Sequence, residues 1–411
     1  MPITLLLDLD DTLLDTDSRA FLPAYYDSLA RHLTPLVPPA AMLDALHSGV
    51  ELMRSNTDPA RTLREVFDAH FYPRLGVEPE ALQAAVVSFY RTVFPGLRRM
   101  ARPIAGGREL VDWALAAGHE VAIATDPLFP LEATEERVRW AGLDPALFSL
   151  MSAFETFHFS KSHVAYLAEF LGRLGWPDRP VLMVGNDLER DLIPARALGL
   201  RTFRVDGSTA LPVRPISSSG PPVATGSAGN LMQLMDWLDS SPLETYVPSF
   251  KTWPAVQAVL LATPAVLQSM TADLSPQTWK MERSAAEWAM IELVCHLRDI
   301  EREVHAAQLK TLMESPAPFV ARPDAAVWAK QRRYLGEDGP ASLREFVAAR
   351  VAAIKQLQSV PEGLWTKPAR HAIFGPTTFL EVVGFMADHD RMHLQQAWDI
   401  LHPVATAAHP S

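Results

Sequence analysis

Short apolar runs and amphipathic stretches alternate over much of the first half of the chain. Residues 3–9 form an apolar run that ends in acids, which is typical of a buried parallel strand with polar groups at its carboxyl end. Further strands are predicted at residues 120–125, 181–184 and 201–205. Helical periodicity predicts intervening helices at residues 107–117, 131–141, 162–174 and 188–198. Strands separated by helices of this length indicate βαβ units, so we predict an α/β domain with a Rossmann-like parallel sheet.

The region after the first strand has a helical pattern only. It runs from about Ser18 to Arg99 and is broken by turns at Pro38-Pro39, Asp58-Pro59 and Gly76. No convincing strand pattern occurs in it. We therefore predict a helical insertion at about residues 16–100.

The composition changes at about Asp206. Residues 207–229 are dense in Ser, Pro, Gly, Ala and Thr, which is typical of a flexible, linker-like segment. Residues 230–238 fit one more short helix. The first domain is thus predicted to cover residues 1–240.

From about Thr245 onward the pattern predicts helices and no strand. Thr378 with Glu381 fits a capping box at the start of the last helix. The four predicted helices are residues 254–270, 285–313, 341–359 and 378–401. Four amphipathic helices of this length predict an all-α four-helix bundle over residues 245–411.

Composition and charge narrow the classes of protein. A chain of 411 residues is long enough for two or three domains. Its net charge of −11 argues against nucleic acid as a partner, because phosphate backbones attract basic faces. The single cysteine, Cys295, excludes a disulfide within the chain and favours a reducing compartment.

The N-terminal run does not resemble a signal peptide, because it lacks a basic region and is interrupted at Asp8. No stretch reaches the roughly 18 apolar residues that a membrane span needs. We therefore expect a cytoplasmic protein with no membrane partner.

Acidic residues cluster where the first strand ends. Asp8 and Asp10 lie on the same side if strand geometry continues. One carboxylate could attack a phosphorus atom while the other protonates the leaving oxygen, as covalent phosphoryl transfer requires. Because two close carboxylates repel each other, we expect a divalent cation between them.

Polar residues also follow the later strands. Thr125 ends the second strand, where its hydroxyl could donate to a phosphoryl oxygen. Lys161 opens a helix, and its ammonium could balance the charge of phosphate and nucleophile. The third strand runs into Asn186, Asp187 and Asp191, which offer oxygen ligands for Mg²⁺.

These motifs, in this order, resemble those of the haloacid dehalogenase-like (HAD) hydrolase superfamily over about residues 1–240. The resemblance implies a Mg²⁺-dependent phosphohydrolase that forms an aspartyl-phosphate on Asp8. It implies that Asp10 is the general acid and base and binds Mg²⁺ through its main-chain carbonyl. Thr125 and Lys161 would hold the phosphoryl group. The helical insertion would be the cap that selects a small phosphorylated metabolite, and the second acid favours phosphate chemistry over dehalogenation.

The acidic motif departs from the family pattern. Counting back from Asp191, Asn186 stands where the family's GDxxxxD has its first aspartate, and Asp187 follows one residue later. Either side chain could complete a Mg²⁺ shell with Asp8, Asp10 and Asp191. We favour Asp187, because a carboxylate is the better hard ligand. The departure leaves open a module that binds phosphate without catalysis. A further alternative is that the aspartates are ordinary loop acids and Lys161 is a solvent-exposed residue without a functional role.

Three histidines fall on apolar faces of two predicted bundle helices. His389 and His393 are four residues apart and share one face, and His296 lies on an apolar row of its own helix. Three inward imidazoles could bind a transition metal with an open coordination position. The alternative is that each is a core histidine with its own hydrogen-bond partner.

The C-terminal pattern resembles the DinB-like four-helix bundle family. Trp288 followed by His296-Leu297, and the HDRMH segment from His389 to His393, match its signature over about residues 250–402. The resemblance implies that the three histidines bind Ni²⁺ or Zn²⁺. Some members use low-molecular-weight thiols, so an alternative function is a thiol-dependent transferase regulated by the hydrolase domain. Bundles of this kind often pair, which allows a homodimer.

Two further interpretations concern neighbouring residues. His389-Asp390 also fits an HD-type phosphohydrolase, but no other His or Asp spacing supports it. Cys295 is turned about 100° from His296 on a helix, so we do not expect it to be a ligand. In the insertion, four residues could face the substrate or belong to the cap core or a solvated face: Tyr25, Tyr26, Arg54 and Arg64.

Overall fold

The structure is a computed structural model that describes residues 1–206, 214–216, 226–282, 284, 287–325 and 327–402. The chain divides into two compact units. The first contains Met1–Phe170 and Pro177–Ser249, and the second contains Leu171–Trp176 and Phe250–Ser411. None of the helices in the described ranges is both long and apolar enough to cross a membrane.

The first unit is an α/β structure. Its strands are β1 (Thr4–Leu7), β2 (Leu14–Thr16), β3 (Ala101–Pro103), β4 (Glu120–Ile123), β5 (Val181–Gly185), β6 (Arg201–Val205), β7 (Arg214–Ile216) and β8 (Gly226–Gly229). Its longer helices are α1 (Ser18–Leu33), α2 (Pro39–Arg54), α3 (Leu63–Leu75), α4 (Pro79–Thr92), α5 (Gly107–Ala116), α6 (Leu131–Trp140), α7 (Val164–Arg173), α8 (Ile193–Leu198) and α9 (Leu231–Ser240).

Six of these strands form one sheet in the order β4-β1-β5-β6-β8-β7. All neighbours are parallel except β7 and β8. The fold class predicted for this part is therefore confirmed. All four residues of β1 are buried, as expected for a central strand covered on both faces.

The register brings three strand ends to one level. Leu7, the last residue of β1, pairs with Ile123 of β4 and Val184 of β5. The chain passes from β1 to β4 on one side of it and then crosses to β5 on the other side, and such a switch point is where parallel sheets bind ligands.

A helical insertion separates β1 from the rest of the sheet. Helices α1 to α4 lie between β2 and β3, which pair antiparallel with Leu14 opposite Pro103 and Thr16 opposite Ala101. The predicted breaks at Asp58-Pro59 and Gly76 fall between helices, and the one at Pro38-Pro39 falls at the start of α2. Thr62 and Glu65 form a capping box at the start of α3. The pattern did not predict the β2–β3 ribbon, because three residues are too few to show alternation.

The segment predicted as a linker, residues 207–229, lies largely outside the described residues. Its described parts are β7 and β8, which pair with each other at the end of the sheet. The Gly-Ser-Ala-Gly sequence of β8 has no apolar alternation, so only backbone pairing makes it a strand.

The second unit is built from helices. They are α10 (Trp253–Thr271), α11 (Pro276–Trp279), α12 (Met290–Asp299), α13 (Ala306–Glu314), α14 (Trp328–Gln331), α15 (Gly339–Gln358) and α16 (Phe379–Leu401). A π-helical segment, Ile300–His305, joins α12 and α13 into one long helix. This helix with α10, α15 and α16 makes the predicted four-helix bundle. The predicted capping box of Thr378 and Glu381 is confirmed at the start of α16.

The expectation that no strand follows Thr245 is wrong. A small sheet contains β9 (Phe319–Val320), β10 (Pro368–His371) and β11 (Gly375–Thr378). β9 has only two residues, β10 begins with Pro368, and β11 begins with Gly375 and Pro376, so none of them shows a strand pattern.

Candidate functional site

A cavity of about 120 Å³ opens at the carboxyl ends of β1, β4 and β5. Its lining includes every residue that the sequence predicted for the phosphoryl and Mg²⁺ site: Asp8, Asp10, Thr125, Lys161, Asn186, Asp187 and Asp191. Asp8 directly follows β1, and its backbone N–H donates to the Val184 carbonyl at 2.9 Å. Sheet register thus fixes the carboxylate at the cavity.

Lys161 connects two buried carboxylates. Its Nζ contacts Asp8 Oδ1 and lies 2.6 Å from Asp191 Oδ1. All three residues are almost fully buried. Its backbone N–H donates to Asp126 Oδ1 at 3.1 Å, which anchors the loop before α7. Lys161 is the only lysine among the first 250 residues of the sequence.

The charges in this cluster shift one another's ionisation. Burial, and then the nearby Asp191, raise the pKa of Asp8 to about 7, although Lys161 opposes the shift. Burial would lower the pKa of Lys161, but Asp191 and Asp8 raise it above its usual value. The lysine therefore stays charged.

Thr12 supports the same carboxylate, a role that the sequence analysis missed. Its Oγ1 donates to Asp8 Oδ2 at 2.9 Å and lies 3.5 Å from Asn186 Oδ1. One Asp8 oxygen therefore faces Lys161 and the other faces Thr12. The signal was present, since Thr12 follows Asp10 at the same spacing of two residues by which Asp10 follows Asp8.

Thr125 lies two residues beyond β4 and is buried. Its carbonyl accepts hydrogen bonds from Ser152 Oγ at 2.7 Å and from Tyr166 Oη at 2.8 Å. These bonds fix the backbone next to the cavity that Thr125 lines.

Asp10 contacts a partner that was not predicted. Its Oδ1 forms an ion pair with Arg137, whose side chain is almost fully buried in α6. The guanidinium lies 5.0 Å from the ring centre of Phe129 and 5.7 Å from that of Phe21. An arginine on the apolar face of a helix, next to Val138, is the signal that could have revealed it.

Asp187 and Asp191 have different surroundings. Asp187 Oδ1 accepts from the backbone N–H groups of Glu189 and Arg190 at 2.9 and 3.0 Å, and its Oδ2 accepts from Arg190 Nε at 2.9 Å. Burial would raise the pKa of Asp187, but the Arg190 backbone and side chain lower it. Asp187 thus acts as an N-cap, whereas Asn186 lies nearer to Thr12.

Asp191 reaches the cavity because Gly185 has no side chain. A Cβ at Gly185 would lie 2.2 Å from Asp191 Oδ2. The same oxygen accepts from the Asp187 backbone N–H at 2.9 Å. Carboxylate, amide and carbonyl oxygens gathered in one cavity fit a hard cation such as Mg²⁺.

The insertion contains a larger cavity of about 320 Å³. All four insertion residues singled out in the sequence line it: Tyr25, Tyr26, Arg54 and Arg64. Arg54 also lines the cavity at Asp8.

In the second unit, the three predicted histidines converge. His389 Nε2 lies 3.3 Å from His296 Nε2 and 3.2 Å from His393 Nε2. Two ligands about 2.0–2.1 Å from one tetrahedral ion lie about 3.3–3.4 Å apart. The spacing therefore fits one transition-metal ion.

The triad is electrically neutral. Burial lowers the pKa of His296 to about 3, with further lowering from His393 and His305. Burial likewise lowers the pKa of His389 and of His393. Neutral imidazoles are the form that binds metals.

One of the three rings has an outer hydrogen-bond partner in the part of the chain that the structure describes. His393 Nδ1 lies 2.9 Å from Gln396 Oε1. Within the described residues, Nδ1 of His296 and Nδ1 of His389 are buried without a hydrogen-bond partner. Trp288 packs against the triad, with its ring 4.8 Å from that of His296.

A buried ion cluster lies next to the triad. Arg350 donates to Glu301 at 2.8 and 2.9 Å and to Asp390 Oδ1 at 3.1 Å. Asp390 is therefore directed at an arginine, which gives the HD-type interpretation no support. Glu301 Oε2 also lies 2.9 Å from His305 Nδ1, in the π-helical segment. Such segments are frequent at functional sites.

The triad borders a cavity of about 830 Å³ that also reaches His305 and His371. Cys295 lies elsewhere, with its Sγ donating to Ser342 Oγ at 3.4 Å. Burial raises the pKa of Cys295 to about 11, so its thiol is not activated.

Comparisons with known proteins agree with this division. Residues 260–397 match the DinB superfamily. No curated protein matches the chain. YfiT from Bacillus subtilis, which has an unusual four-helix bundle topology, is 18% identical, with 35% of this chain and 83% of that chain covered and a TM-score of 0.32.

Two solved structures match the other part of the chain. An HAD phosphatase from Thermococcus onnurineus is 17% identical, covers 57% of this chain and 97% of its own, and has a TM-score of 0.35. A 2-haloacid dehalogenase from Pseudomonas syringae pv. Tomato DC3000 is 22% identical, with 58% and 99% covered and a TM-score of 0.41. The chain thus joins an α/β unit, with a helical insertion after β1, to a helical unit whose residues 260–397 match the DinB superfamily.

Proposed function

We propose that the first unit is a Mg²⁺-dependent phosphohydrolase that acts on a small phosphorylated metabolite through an aspartyl-phosphate on Asp8. One observation carries the proposal. The buried ammonium of Lys161 contacts Asp8 and Asp191 together, in a cavity at the carboxyl ends of the strands. A fixed positive charge beside a nucleophile suits attack on an anionic phosphoryl group.

The residues supply a balanced reaction. An Asp8 oxygen attacks phosphorus, the ester P–O bond breaks, and Asp10 gives a proton to the leaving alcohol oxygen. Asp10 then takes a proton from water as the water attacks the aspartyl-phosphate and releases phosphate. Lys161 and Thr125 hold the phosphoryl oxygens, and Arg137 holds the Asp10 carboxylate at the cavity wall.

Mg²⁺ would neutralise phosphoryl charge in this cavity. We propose that Asp8, the Asp10 carbonyl, Asn186 and Asp191 hold it. Asn186 is preferred to Asp187 because both Asp187 oxygens already accept hydrogen bonds at the start of the following helix.

The test is a phosphate-ester screen on the full chain with and without Mg²⁺. We expect Mg²⁺-dependent phosphate release that Asp8→Asn lowers by about 10⁴-fold or more. Asp15→Asn is the matched control, because Asp15 is exposed on β2. Phosphate binding without release from any ester would instead identify a non-catalytic phosphate-binding module.

We propose separately that the second unit binds Ni²⁺ or Zn²⁺ through His296, His389 and His393. The convergence of three neutral Nε2 atoms supports this. A three-histidine site leaves a coordination position for water or substrate. Consumption of a low-molecular-weight thiol that requires His389 would identify a transferase, and metal binding without thiol consumption would count against that alternative.

A further inference from the structure

The cavity in the insertion lies beside the one at Asp8. Four residues line both cavities: Leu22, Arg54, Leu128 and Phe129. A phosphate ester seated at Asp8 would therefore extend its alcohol part towards the larger cavity. At about 320 Å³ this space is in the range of small-molecule sites.

The wall of this cavity is mainly apolar and aromatic. The insertion contributes the aromatic rings of Tyr26, Phe67 and Phe71, the loop after β4 contributes Phe129, and the segment between α6 and α7 contributes Phe154. Aliphatic side chains such as Val50 and Met53 fill the intervals. A polyol placed here would lose its hydrogen bonds to water and regain only some of them, which is costly.

The charged residues of the wall already have protein partners. Arg64 pairs with Asp68 at 3.4 Å, and Arg54 pairs with Glu51 at 3.1 Å. Two glutamates complete the set: Glu155, which accepts from the Leu131 backbone N–H at 3.1 Å, and Glu132, which lies 3.6 Å from Arg91. The wall therefore offers little to a second charge on the ligand.

The uncharged polar groups on this wall are the amide of Gln83 and four tyrosine hydroxyls, two of which pair with each other. Tyr25 Oη and Tyr90 Oη hydrogen-bond each other at 2.8 Å. This bond uses one of the two hydroxyl protons, so the pair can donate once more. Burial raises the pKa of both phenols, so they stay protonated donors.

We propose that the substrate is the phosphate monoester of a bulky, uncharged, mainly apolar alcohol, which lies in the insertion cavity with an acceptor group near Tyr25 and Tyr90. This inference rests on the proposed phosphohydrolase function. A substrate of this kind differs from sugar phosphates and from phosphate esters that also carry a carboxylate.

The first experiment compares two esters of similar size on the full chain with Mg²⁺. Cyclohexylmethyl phosphate and glucose 6-phosphate both release a primary alcohol that carries a six-membered ring, so their chemistry is matched. We expect kcat/KM to be at least about 100-fold higher for the cyclohexylmethyl ester, because the ring hydroxyls would go unpaired. Equal rates, or a preference for glucose 6-phosphate, would overturn the inference and leave the hydrolase intact.

The second experiment measures binding of the free alcohol, with 1-naphthalenemethanol as the probe, by calorimetry. Val50→Phe narrows the cavity and is expected to weaken binding at least tenfold. Leu52→Phe, an exposed position on the same helix α2, is the matched control and should bind normally. Alcohol binding that Val50→Phe weakens, in a chain that hydrolyses no ester, would support the cavity and reject the hydrolase. No binding and no hydrolysis would overturn both.

Discussion

Asp8 is buried, as are His296 and His393 of the half-buried triad, but the two clusters compensate charge in opposite ways. In the first unit, the ammonium of Lys161 lies between Asp8 and Asp191, so protein groups already compensate most of the charge. In the second unit, His296, His389 and His393 meet nitrogen to nitrogen, and no carboxylate among the described residues hydrogen-bonds to them. The first cluster is internally paired, whereas the second lacks a partner at its centre.

This difference predicts different behaviour towards metals. A cation at Asp8 competes with Lys161 for the same oxygens, so Mg²⁺ should bind weakly and exchange freely. A cation at the triad displaces nothing and gains three ligands, so it should be retained through purification. The following experiments test this contrast.

The largest effect is expected at Lys161. Lys161→Met leaves Asp8 and Asp191 facing each other in a buried site, so the first unit should lose about 3–5 kcal/mol of unfolding free energy at pH 7. Phosphate release should fall by about 10²–10³-fold. Lys161→Arg should restore little activity, because a planar guanidinium does not replace a compact ammonium. Denaturant unfolding and steady-state assays give both numbers, and Lys251→Met, at an exposed position, is the control. Full activity in Lys161→Met would show that the Asp8 cluster does not depend on internal charge pairing.

The next effect concerns metal retention. His389→Ala should lower the affinity for Ni²⁺ or Zn²⁺ by at least about 100-fold, since the central ligand is lost. His402→Ala, at an exposed position just after α16, should bind as the unmodified chain does. Elemental analysis after gel filtration measures the bound metal. Equal metal content in the two variants would contradict the proposed site.

The depressed pKa values of the triad predict a pH dependence. Above pH 6.5 the histidines are neutral in both the folded and the unfolded chain, so they contribute no slope. Below pH 6.5 the histidines of the unfolded chain bind protons, whereas those of the folded triad stay neutral. For His296 this difference extends down to about pH 3. Without metal, the unfolding free energy of the second unit should therefore fall by up to about 1.4 kcal/mol per pH unit for each histidine. Urea unfolding between pH 7.5 and 5 measures the slope, which His389→Ala should reduce; an unchanged slope would reject a buried neutral triad.

The smallest effect separates two neighbouring residues. Asn186→Ala should raise the Mg²⁺ concentration for half-maximal phosphate release by about tenfold. Asp187→Ala should cost about 1 kcal/mol of stability through loss of the N-cap and leave the Mg²⁺ requirement unchanged. A Mg²⁺ titration of both variants decides the matter. The reverse result would identify Asp187 as the ligand, as the sequence alone favoured.

The fold, and the convergence of the candidate site residues at one cavity, could be predicted because they depend on local patterns. Apolar runs that end in acids indicated the strands, and the order of Asp8, Thr125 and Lys161 indicated one cavity. Helical spacing placed His389 and His393 on one face. These signals need no knowledge of the packing between distant segments.

Other features depend on packing and could not be predicted. Arg137 reaches Asp10 across more than a hundred residues. The capping role of Asp187 depends on where the following π-helical segment, Leu188–Leu192, begins. Strands β9 to β11 are too short and too rich in Pro and Gly to show a period. The hydrogen bond between Tyr25 and Tyr90 joins two helices whose facing sides became known only from the structure.

The β2–β3 ribbon has a consequence for how this chain can change. The insertion departs from the α/β unit and returns to it on paired neighbouring strands, with Leu14 opposite Pro103. Because entry and exit are adjacent, residues 18–100 could be shortened, replaced or exchanged without moving β1, the strand that Asp8 follows. Changes in the insertion could thus alter which substrates fit its cavity, while the residues around Asp8 stay in place.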